Sequence, residues 1–192
     1  MFVTLPINAE VRNQMDVVDD FLNLIKGEGW STIVAGGAPR DWFFNKKAKD
    51  IDIFLPPMDV QEIASILKEK YNLVCIIKMS EDIDETYRSP NLLAVIDFKY
   101  LNTDFQFIFQ TQDLDPLTHF GCSLSLITYD NFNIKPTQQF LRCIKNSTLI
   151  FLESCNATYL KKNIKKFPNY SVNFLETIYQ NRAQPRVFGD VW

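Results

Sequence analysis

Residues 35–53 read AGGAPRDWFFNKKAKDIDI, and the order of residue types in this stretch decides the fold. The apolar run 32–35 predicts a short strand that leads into a tight turn at Gly36 and Gly37. A proline suits the first turn of a helix, so we predict a helix over 39–44. The DIDI at the end of the stretch opens a second strand. The sequence therefore predicts a strand, a diglycine turn, a short helix and another strand in direct succession.

The diglycine turn has the features of a phosphate site. Gly36 and Gly37 allow positive φ angles and let the backbone come close to a ligand. The helix predicted after them would direct its unpaired N–H groups at the same place. Arg40 adds a permanent cation that can bind phosphate oxygens with two hydrogen bonds. We therefore predict that this turn binds phosphate.

The second strand carries a pair of carboxylates. Asp50 and Asp52 are one residue apart, so their side chains project from the same face of a strand, whereas Ile51 and Ile53 project from the other. Two neighbouring carboxylates repel each other unless a cation lies between them. Oxygen ligands of this kind favour Mg²⁺ or Mn²⁺. The pair is thus a candidate metal site next to the candidate phosphate site.

The rest of the chain alternates between helical and strand patterns. Apolar periodicity predicts helices at 9–27 and 59–71, strands at 73–78, 92–101, 105–109 and 123–129, a hairpin turn at 102–104, and helical structure from Pro136 to about Tyr179. This pattern predicts the α+β class: a mixed sheet with flanking helices and a C-terminal helical segment.

Composition excludes several classes of protein. The 192 residues are 46% hydrophobic and 22% charged, which is typical of a globular chain. The sequence shows neither a secretory signal nor an apolar run of about 20 residues that could span a bilayer, so we expect a soluble, cytoplasmic protein without a membrane partner. Four cysteines without a CxxC pair argue against a zinc site. With His119 as its single histidine, the chain has little scope for histidine-dependent catalysis.

Charge is unevenly distributed along the chain. Residues 135–170 carry a net charge of +6, whereas the whole chain carries −3, so the remainder carries −9. A basic segment beside an acidic body is compatible with a polyanionic partner such as RNA or a nucleoside triphosphate. For the run KKNIKK at 161–166 taken alone, a solvated helix face is the slightly better explanation.

The pattern G-G-x-x-R-D, eight residues, then D-h-D-h resembles the head domain of the polymerase-β-type nucleotidyltransferases. The form closest to it is that of the CCA-adding enzymes and bacterial poly(A) polymerases. The resemblance covers about residues 30–130, so we expect a head domain at 1–130 and a basic, mainly helical extension at 131–192. It also implies the nucleotidyltransferase fold for the mixed sheet.

The resemblance implies a role for each matching residue. Gly36 and Gly37 would hold the triphosphate of a nucleotide, and Arg40 would lie near that triphosphate. Asp50 and Asp52 would bind Mg²⁺ or Mn²⁺.

Other polar residues of the stretch have two explanations each. Asp41 also matches the motif, but it can equally fix the turn by accepting backbone hydrogen bonds. Lys49, together with Lys46 and Lys47, can steer a polyphosphate towards the site or only keep the loop soluble.

The superfamily takes a third carboxylate, which serves as catalytic residue and metal ligand, from a later strand. Asp104 is the first candidate and Asp97 the second. If 105–109 is the matching strand, Gln106 occupies its central position. An amide cannot act as a general base, so this possibility would impair transfer more than nucleotide binding.

We therefore expect a metal-dependent nucleotidyltransferase that moves a nucleotide from a nucleoside triphosphate to a hydroxyl of an RNA 3′ end, a protein or a small molecule. The alternative is a catalytically weak homologue that binds nucleotide or RNA as a regulatory module. The phrase from Phe105 to Phe120 is also similar to nucleotidyltransferase-like proteins of viruses, which would place the protein in the host cytoplasm.

Overall fold

The structure is a computed structural model that describes residues 7–83, 91–113, 115–130 and 133–175. Its strands are β1 (Ile33–Ala35), β2 (Ile51–Leu55), β3 (Cys75–Met79), β4 (Leu92–Tyr100), β5 (Thr103–Gln110), β6 (Ile127–Asp130), β7 (Asn133–Pro136), β8 (Thr148–Leu152) and β9 (Ser171–Leu175). Its α-helices are α1 (Ala9–Ile25), α2 (Gly37–Phe43), α3 (Val60–Glu69), α4 (Gln138–Asn146) and α5 (Ala157–Lys166).

Seven strands form one mixed sheet in the order β3-β4-β5-β2-β1-β6-β7. Strands β2 and β5 run parallel, and all other neighbours in this sheet are antiparallel. Strands β8 and β9 form a separate parallel pair. The predicted α+β class, with a mixed sheet and flanking helices, is confirmed.

Helices α1 and α3 cover one face of the sheet. Phe21 of α1 lies 4.9 Å from Phe105 of β5, measured between ring centroids, and both belong to the core cluster that also contains Ile51 and Ile53 of β2. Because side chains alternate along a strand, the opposite face of β2 carries Asp52. The large apolar core thus lies on the side of the sheet away from the candidate metal site.

The β4–β5 hairpin is tighter than the sequence predicts. Its turn consists of Leu101 and Asn102, which have φ angles of 45° and 63°. Two central residues with positive φ are typical of the type I′ turn, whose twist matches that of the strands it joins. Strand β5 therefore begins at Thr103 rather than at residue 105, and Asp104 lies inside the strand.

The strand predicted at 123–129 is shorter in the structure. Residues Ser123–Ser125 form a 3-10 turn, and β6 begins only at Ile127. The Oγ of Ser123 accepts a hydrogen bond from the backbone N–H of Ile150 at 3.1 Å and lies 2.9 Å from Sγ of Cys143. These bonds tie the turn to α4 and β8 instead of to the main sheet.

The C-terminal segment contains the predicted helical structure as α4 and α5, but it also contains three strands. The short apolar run TLIFL at 148–152 forms β8. This strand was not predicted from the sequence, because the residues around it have a basic, helical pattern. Strand β7 pairs with β6, so the main sheet continues past residue 130. The division at residue 130 remains a prediction, and its part beyond residue 175 lies outside the described residues.

This C-terminal segment packs against α2. A second apolar cluster joins Phe140, Phe151 and Phe167 to Phe43 and Phe44 at the end of α2. The rings of Phe44 and Phe167 lie 5.5 Å apart. The basic segment is therefore attached to the helix that follows the diglycine turn. Within the described ranges, no helix combines the length and the apolar character that a membrane span needs.

Candidate functional site

The diglycine turn lies where β1 ends and α2 begins. Gly36 has φ 81° and ψ −114°, a conformation that favours glycine. A Cβ at Gly36 would lie 2.6 Å from Cζ of Phe120, so the ring occupies the space beside it. At Gly37, by contrast, the nearest atom to such a Cβ is Nη2 of Arg40 at 3.9 Å. Gly36 is thus required by the backbone and by Phe120, whereas Gly37 has room around it.

The carboxylate pair lies near this turn, at the edge of the sheet that is formed by the end of β1 and the start of β2. Strands β1 and β2 are antiparallel with Val34 opposite Ile53, so the next step along both strands puts the end of β1 beside Asp52. Asp50 immediately precedes β2. The strand register therefore brings Gly36, Asp50 and Asp52 to one edge.

The surroundings of Asp52 disfavour its negative charge. The pKa of Asp52 is raised to about 7: burial has the largest effect, the neighbouring carboxylates of Asp50 and Asp97 also raise it, and Lys162 and Arg40 oppose the shift. A cation between Asp50 and Asp52 would remove this penalty. Two carboxylates that leave room for water and phosphate oxygens fit Mg²⁺, which is usually bound by one or two carboxylates together with substrate phosphates.

A buried glutamine fixes the loop that precedes the carboxylate pair. Oε1 of Gln14 in α1 accepts hydrogen bonds from the backbone N–H of Ala48 at 2.8 Å and from Nε1 of Trp42 at 2.9 Å. Its Nε2 donates to the carbonyl of Ala48 at 3.0 Å. Sequence reasoning missed this residue, although one signal was present: Gln14 falls on the apolar face of α1, between Val11 and Val18.

Arg40 and Asp41 form a link between α2 and α5. Both residues are buried, and Nε of Arg40 donates to Oδ1 of Asp41 at 3.0 Å. The other carboxylate oxygen accepts from Nζ of Lys166 at 2.6 Å. The guanidinium of Arg40 also lies over the ring of Phe167, 5.8 Å from its centroid. Asp41 therefore holds two cations together.

The lysines of the loop lie on the surface. The side chain of Lys49 is 93% exposed, and its Nζ lies 3.7 Å from Oδ2 of Asp50. Lys47 makes a 3.5 Å ion pair with Glu10, and Lys46 is exposed. Exposed pairs of this kind contribute about 0–1 kcal/mol, so their structural value is small. Steering of a polyphosphate and loop solubility both remain open for Lys49.

Strand β5 presents an amide, not a carboxylate, directly beside Asp52. The register puts Asp52 opposite Gln106, and Gln106 opposite Asp97 of β4. Nε2 of Gln106 donates to Oδ1 of Asp97 at 2.6 Å, and Nζ of Lys78 lies 2.5 Å from Oδ2 of the same carboxylate. Asp97 is therefore occupied by two partners and lies one strand farther from Asp52 than Gln106 does.

Asp104 lies two residues before Gln106 on the same face of β5, one step before the pair of Ile51 and Phe105 and so next to the position of Asp50. It pairs in register with Lys99, its side chain is 59% exposed, and the two charged groups are 3.2 Å apart. No three His, Cys, Asp or Glu side chains within the described ranges are placed to hold a metal ion together. The structure thus brings Asp50 and Asp52 together, but it does not assemble them with Asp104 into a three-carboxylate site.

No family model and no curated protein matches the sequence. Solved structures do match the fold. A tRNA-processing enzyme matches with a TM-score of 0.56 at 13% identity, over 90% of this chain and 46% of its own. A tRNA nucleotidyltransferase in complex with a primer tRNA and an incoming ATP analog matches with a TM-score of 0.52 at 14% identity, over 79% of this chain and 46% of its own.

The CCA-adding enzyme of Thermotoga maritima, in complex with tRNA, matches with a TM-score of 0.54 at 13% identity, over 87% of this chain and 40% of its own. The chain spans less than half the length of these enzymes. At such identities the likeness concerns the fold. The polymerase-β-type resemblance of the sequence is confirmed at that level: this chain has the nucleotidyltransferase fold that the CCA-adding enzymes also have.

Proposed function

We propose that this protein is a metal-dependent nucleotidyltransferase that moves a nucleoside monophosphate from a nucleoside triphosphate to a hydroxyl acceptor. The observation that carries the proposal is the meeting of the Asp50–Asp52 pair with the Gly36–Gly37 turn at one edge of the sheet. The charges of Arg40 and Asp52 also act on each other across this edge. These are the parts that phosphoryl transfer requires: ligands for a divalent cation, a turn open to phosphate and a fixed cation.

The chain's own residues have separable tasks. Asp50 and Asp52 would hold Mg²⁺ or Mn²⁺, which, when bound, neutralises charge on the triphosphate. Gly37, where a Cβ would only touch Nη2 of Arg40 at 3.9 Å, would let the phosphates come close to the backbone. Arg40, fixed by Asp41, would hold a phosphate oxygen at a defined position. The acceptor oxygen then forms a bond to the α-phosphorus as the bond to the β-phosphate breaks, and pyrophosphate leaves.

Gln106 supports a second candidate function. Because an amide replaces the carboxylate expected beside Asp52, the chain lacks a base at this position to take the proton from the acceptor hydroxyl. A protein that binds a nucleotide or RNA and transfers slowly, or not at all, would tolerate this residue. It would act as a regulatory or partner-binding module.

The acceptor is proposed by class only. The structural neighbours include complexes with tRNA, CTP and ATP, which favours a nucleotide and an RNA 3′ end. A protein or small-molecule hydroxyl is the other acceptor class. The cytoplasm, or the host cytoplasm for a viral protein, is the proposed place of action.

The test is transfer of label from an α-³²P-labelled nucleoside triphosphate, with Mg²⁺ or Mn²⁺, to RNA, to the protein itself or to small hydroxyl compounds. We expect label on one of these acceptors with the native chain and none with Asp52→Ala. The control is Glu62→Ala, which removes an exposed acid from α3 on the other face of the sheet. Full activity of Asp52→Ala would remove Asp52 from the mechanism, whereas saturable binding without transfer would favour the second candidate.

A further inference from the structure

The face of β2 that carries Asp52 also carries an aromatic side chain. Ile51, Ile53 and Leu55 belong to the large core cluster, so they project towards the helices. Phe54 alternates with them and therefore projects from the same face as Asp52, two residues farther along the strand. Two steps along a strand span about 7 Å, so an aromatic surface begins close to the carboxylate pair.

Phe120 lies over this strand and reaches the diglycine turn. Its ring and that of Phe54 are 5.7 Å apart between centroids and meet edge to face, at 79°. The tip of the same ring lies at the turn, because a Cβ built on Gly36 would be 2.6 Å from Cζ and 2.7 Å from Cε1 of Phe120. One half-buried aromatic ring therefore borders both the candidate phosphate site and the strand that carries the candidate metal ligands.

The backbone is held on both sides of Phe120. In the 3-10 turn before it, Oδ1 of Asp115 accepts a hydrogen bond from the N–H of Leu117 at 3.0 Å. Directly after it, the carbonyl of Gly121 accepts a hydrogen bond from the N–H of Leu152 in β8 at 3.0 Å. A ring on a fixed backbone loses little freedom when a ligand packs against it, which favours binding.

A half-buried ring beside a phosphate site is suited to a nucleobase. The π-face of a phenylalanine offers nothing to a phosphate, whereas every nucleobase has a π-face that can stack on it. One ribose separates the base of a nucleoside triphosphate from its phosphates, so the base lies near whatever binds the phosphates. The terminal base of an RNA acceptor is a second source of the same chemistry. The contact of the ring with Gly36, in the turn proposed for the triphosphate, favours the base of the nucleotide.

Resting on the proposed nucleotidyltransferase function, we propose that Phe120 forms a wall of the nucleotide site and stacks on the base of the bound nucleoside triphosphate. Phe54 supports this wall through the edge-to-face contact. Stacking does not read the hydrogen-bonding edge of a base, so the wall accepts purines and pyrimidines alike. Gly36 then has a second task, since a side chain at this position would displace the ring.

The experiment measures binding of ATP, CTP, ribose 5-triphosphate and inorganic tripolyphosphate to the full chain by calorimetry in the presence of Mg²⁺. Phe120→Leu keeps an apolar side chain but removes the π-face. It should weaken ATP and CTP about tenfold, within the range for one base on an aromatic ring, and leave the two ligands without a base unchanged. Phe174→Leu is the matched control, because it removes a 47% exposed ring from β9, and it should leave all four affinities unchanged.

The same ligands give a measurement on the native chain, which holds even if Phe120→Leu is less stable. The native chain should bind ATP about tenfold more tightly than ribose 5-triphosphate, which lacks only the base. Phe120→Leu should bind these two ligands equally, because the ring and the base act through one contact and their losses do not add.

Each outcome bears on the proposal. Equal losses for ATP and tripolyphosphate in Phe120→Leu would overturn it, because the ring would then only support the turn. Unchanged affinity for ATP, or weakened binding of a single-stranded RNA oligonucleotide alone, would overturn it as well. If ATP binding depends on Phe120 but no label is transferred, the inference stands and the enzyme function fails. If the native chain and Phe120→Leu bind ATP equally and transfer label equally, the enzyme function stands and the inference fails.

Discussion

Strand β2, which carries Asp52, lies between β1 on one side and β5 on the other, and the two sides are built in different ways. On one side, the sequence 35–53 supplies the diglycine turn, Arg40 and both carboxylates, and buried hydrogen bonds from Gln14 fix the loop between them. On the other side, β5 and β4 present Gln106 and Asp97, and Asp97 is already held by an amide and by Lys78.

The difference teaches which part of the candidate chemistry this chain retains. On the first side, a Cβ at Gly37 would make only an ordinary contact with Arg40. The raised pKa of Asp52 shows that the charge of the carboxylate pair is disfavoured, and a bound cation would stabilise it. On the second side, the carboxylate of Asp97 is already bonded to Gln106 and Lys78, so it is less available to a metal ion or an acceptor hydroxyl. We infer that binding of a metal and a triphosphate is better preserved than activation of the acceptor.

The largest expected effect is on the rate of transfer, and it distinguishes the Asp50–Asp52 pair from Asp104. Asp52→Asn or Asp50→Asn should lower the rate of label transfer about 10³-fold, the order found when one preorganised electrostatic contact to a transition state is removed. Asp104→Asn should leave the rate nearly unchanged, because Asp104 is exposed and pairs with Lys99.

The melting temperature of Asp52→Asn should not fall. The raised pKa of Asp52 means that its ionised form costs folding free energy, so the neutral amide relieves this cost at neutral pH. A loss of transfer in Asp104→Asn as large as in Asp52→Asn would contradict our comparison and would identify Asp104 as the third catalytic carboxylate.

The second prediction compares how the two sides are held in place. Gln14→Ala should lower the free energy of unfolding by about 3 kcal/mol, because it leaves the buried groups of Trp42 and Ala48 without partners. Lys78→Ala should cost about 0–1 kcal/mol, since the ion pair with Asp97 is partly exposed. Urea denaturation monitored by tryptophan fluorescence measures both.

The exposed neighbour Asn13 serves as a control for helix propensity, since Asn13→Ala changes α1 without touching the loop. A Gln14→Ala variant as stable as Asn13→Ala would show that the loop before Asp50 does not depend on α1.

The third prediction concerns the two glycines. Gly36→Ala should lower the free energy of unfolding by about 2 kcal/mol, because φ is 81° and the new methyl group would meet the ring of Phe120. Gly37→Ala should leave stability unchanged, since its Cβ would find space within α2. Thermal unfolding of the two variants tests this difference.

In binding of Mg²⁺–ATP, Gly37→Ala should nevertheless lose affinity if phosphates approach this backbone. Unchanged affinity would assign both glycines to the turn alone.

Most of the fold was predictable because the deciding patterns are local. The strand that the sequence DIDI predicts is present as β2, although it begins at Ile51 and leaves Asp50 just before it. The position of Gln106 beside Asp52 depends on the register between β2 and β5, because a shift by two residues would keep the same side chains on the core face and put another residue beside Asp52. The bond from Lys166 to Asp41 could not be predicted from the basic run, since the rotation of α5 depends on the packing of Phe167 against Phe44.

The smallest expected effect is a gain, and it tests whether the second side limits activity. Gln106→Glu puts a carboxylate beside Asp52, so label transfer should rise about tenfold, less than the roughly 10²–10⁴-fold typical of a positioned general base. Asp97 lies opposite and would repel the new charge, so the double variant Gln106→Glu with Asp97→Asn should show the gain more clearly than the single one. The variant Asp97→Asn alone is the control. If the double variant transfers no faster than this control, the missing carboxylate does not limit the reaction. Acceptor activation would then have to come from the substrate or from a partner, and the chain by itself would be a nucleotide-binding module.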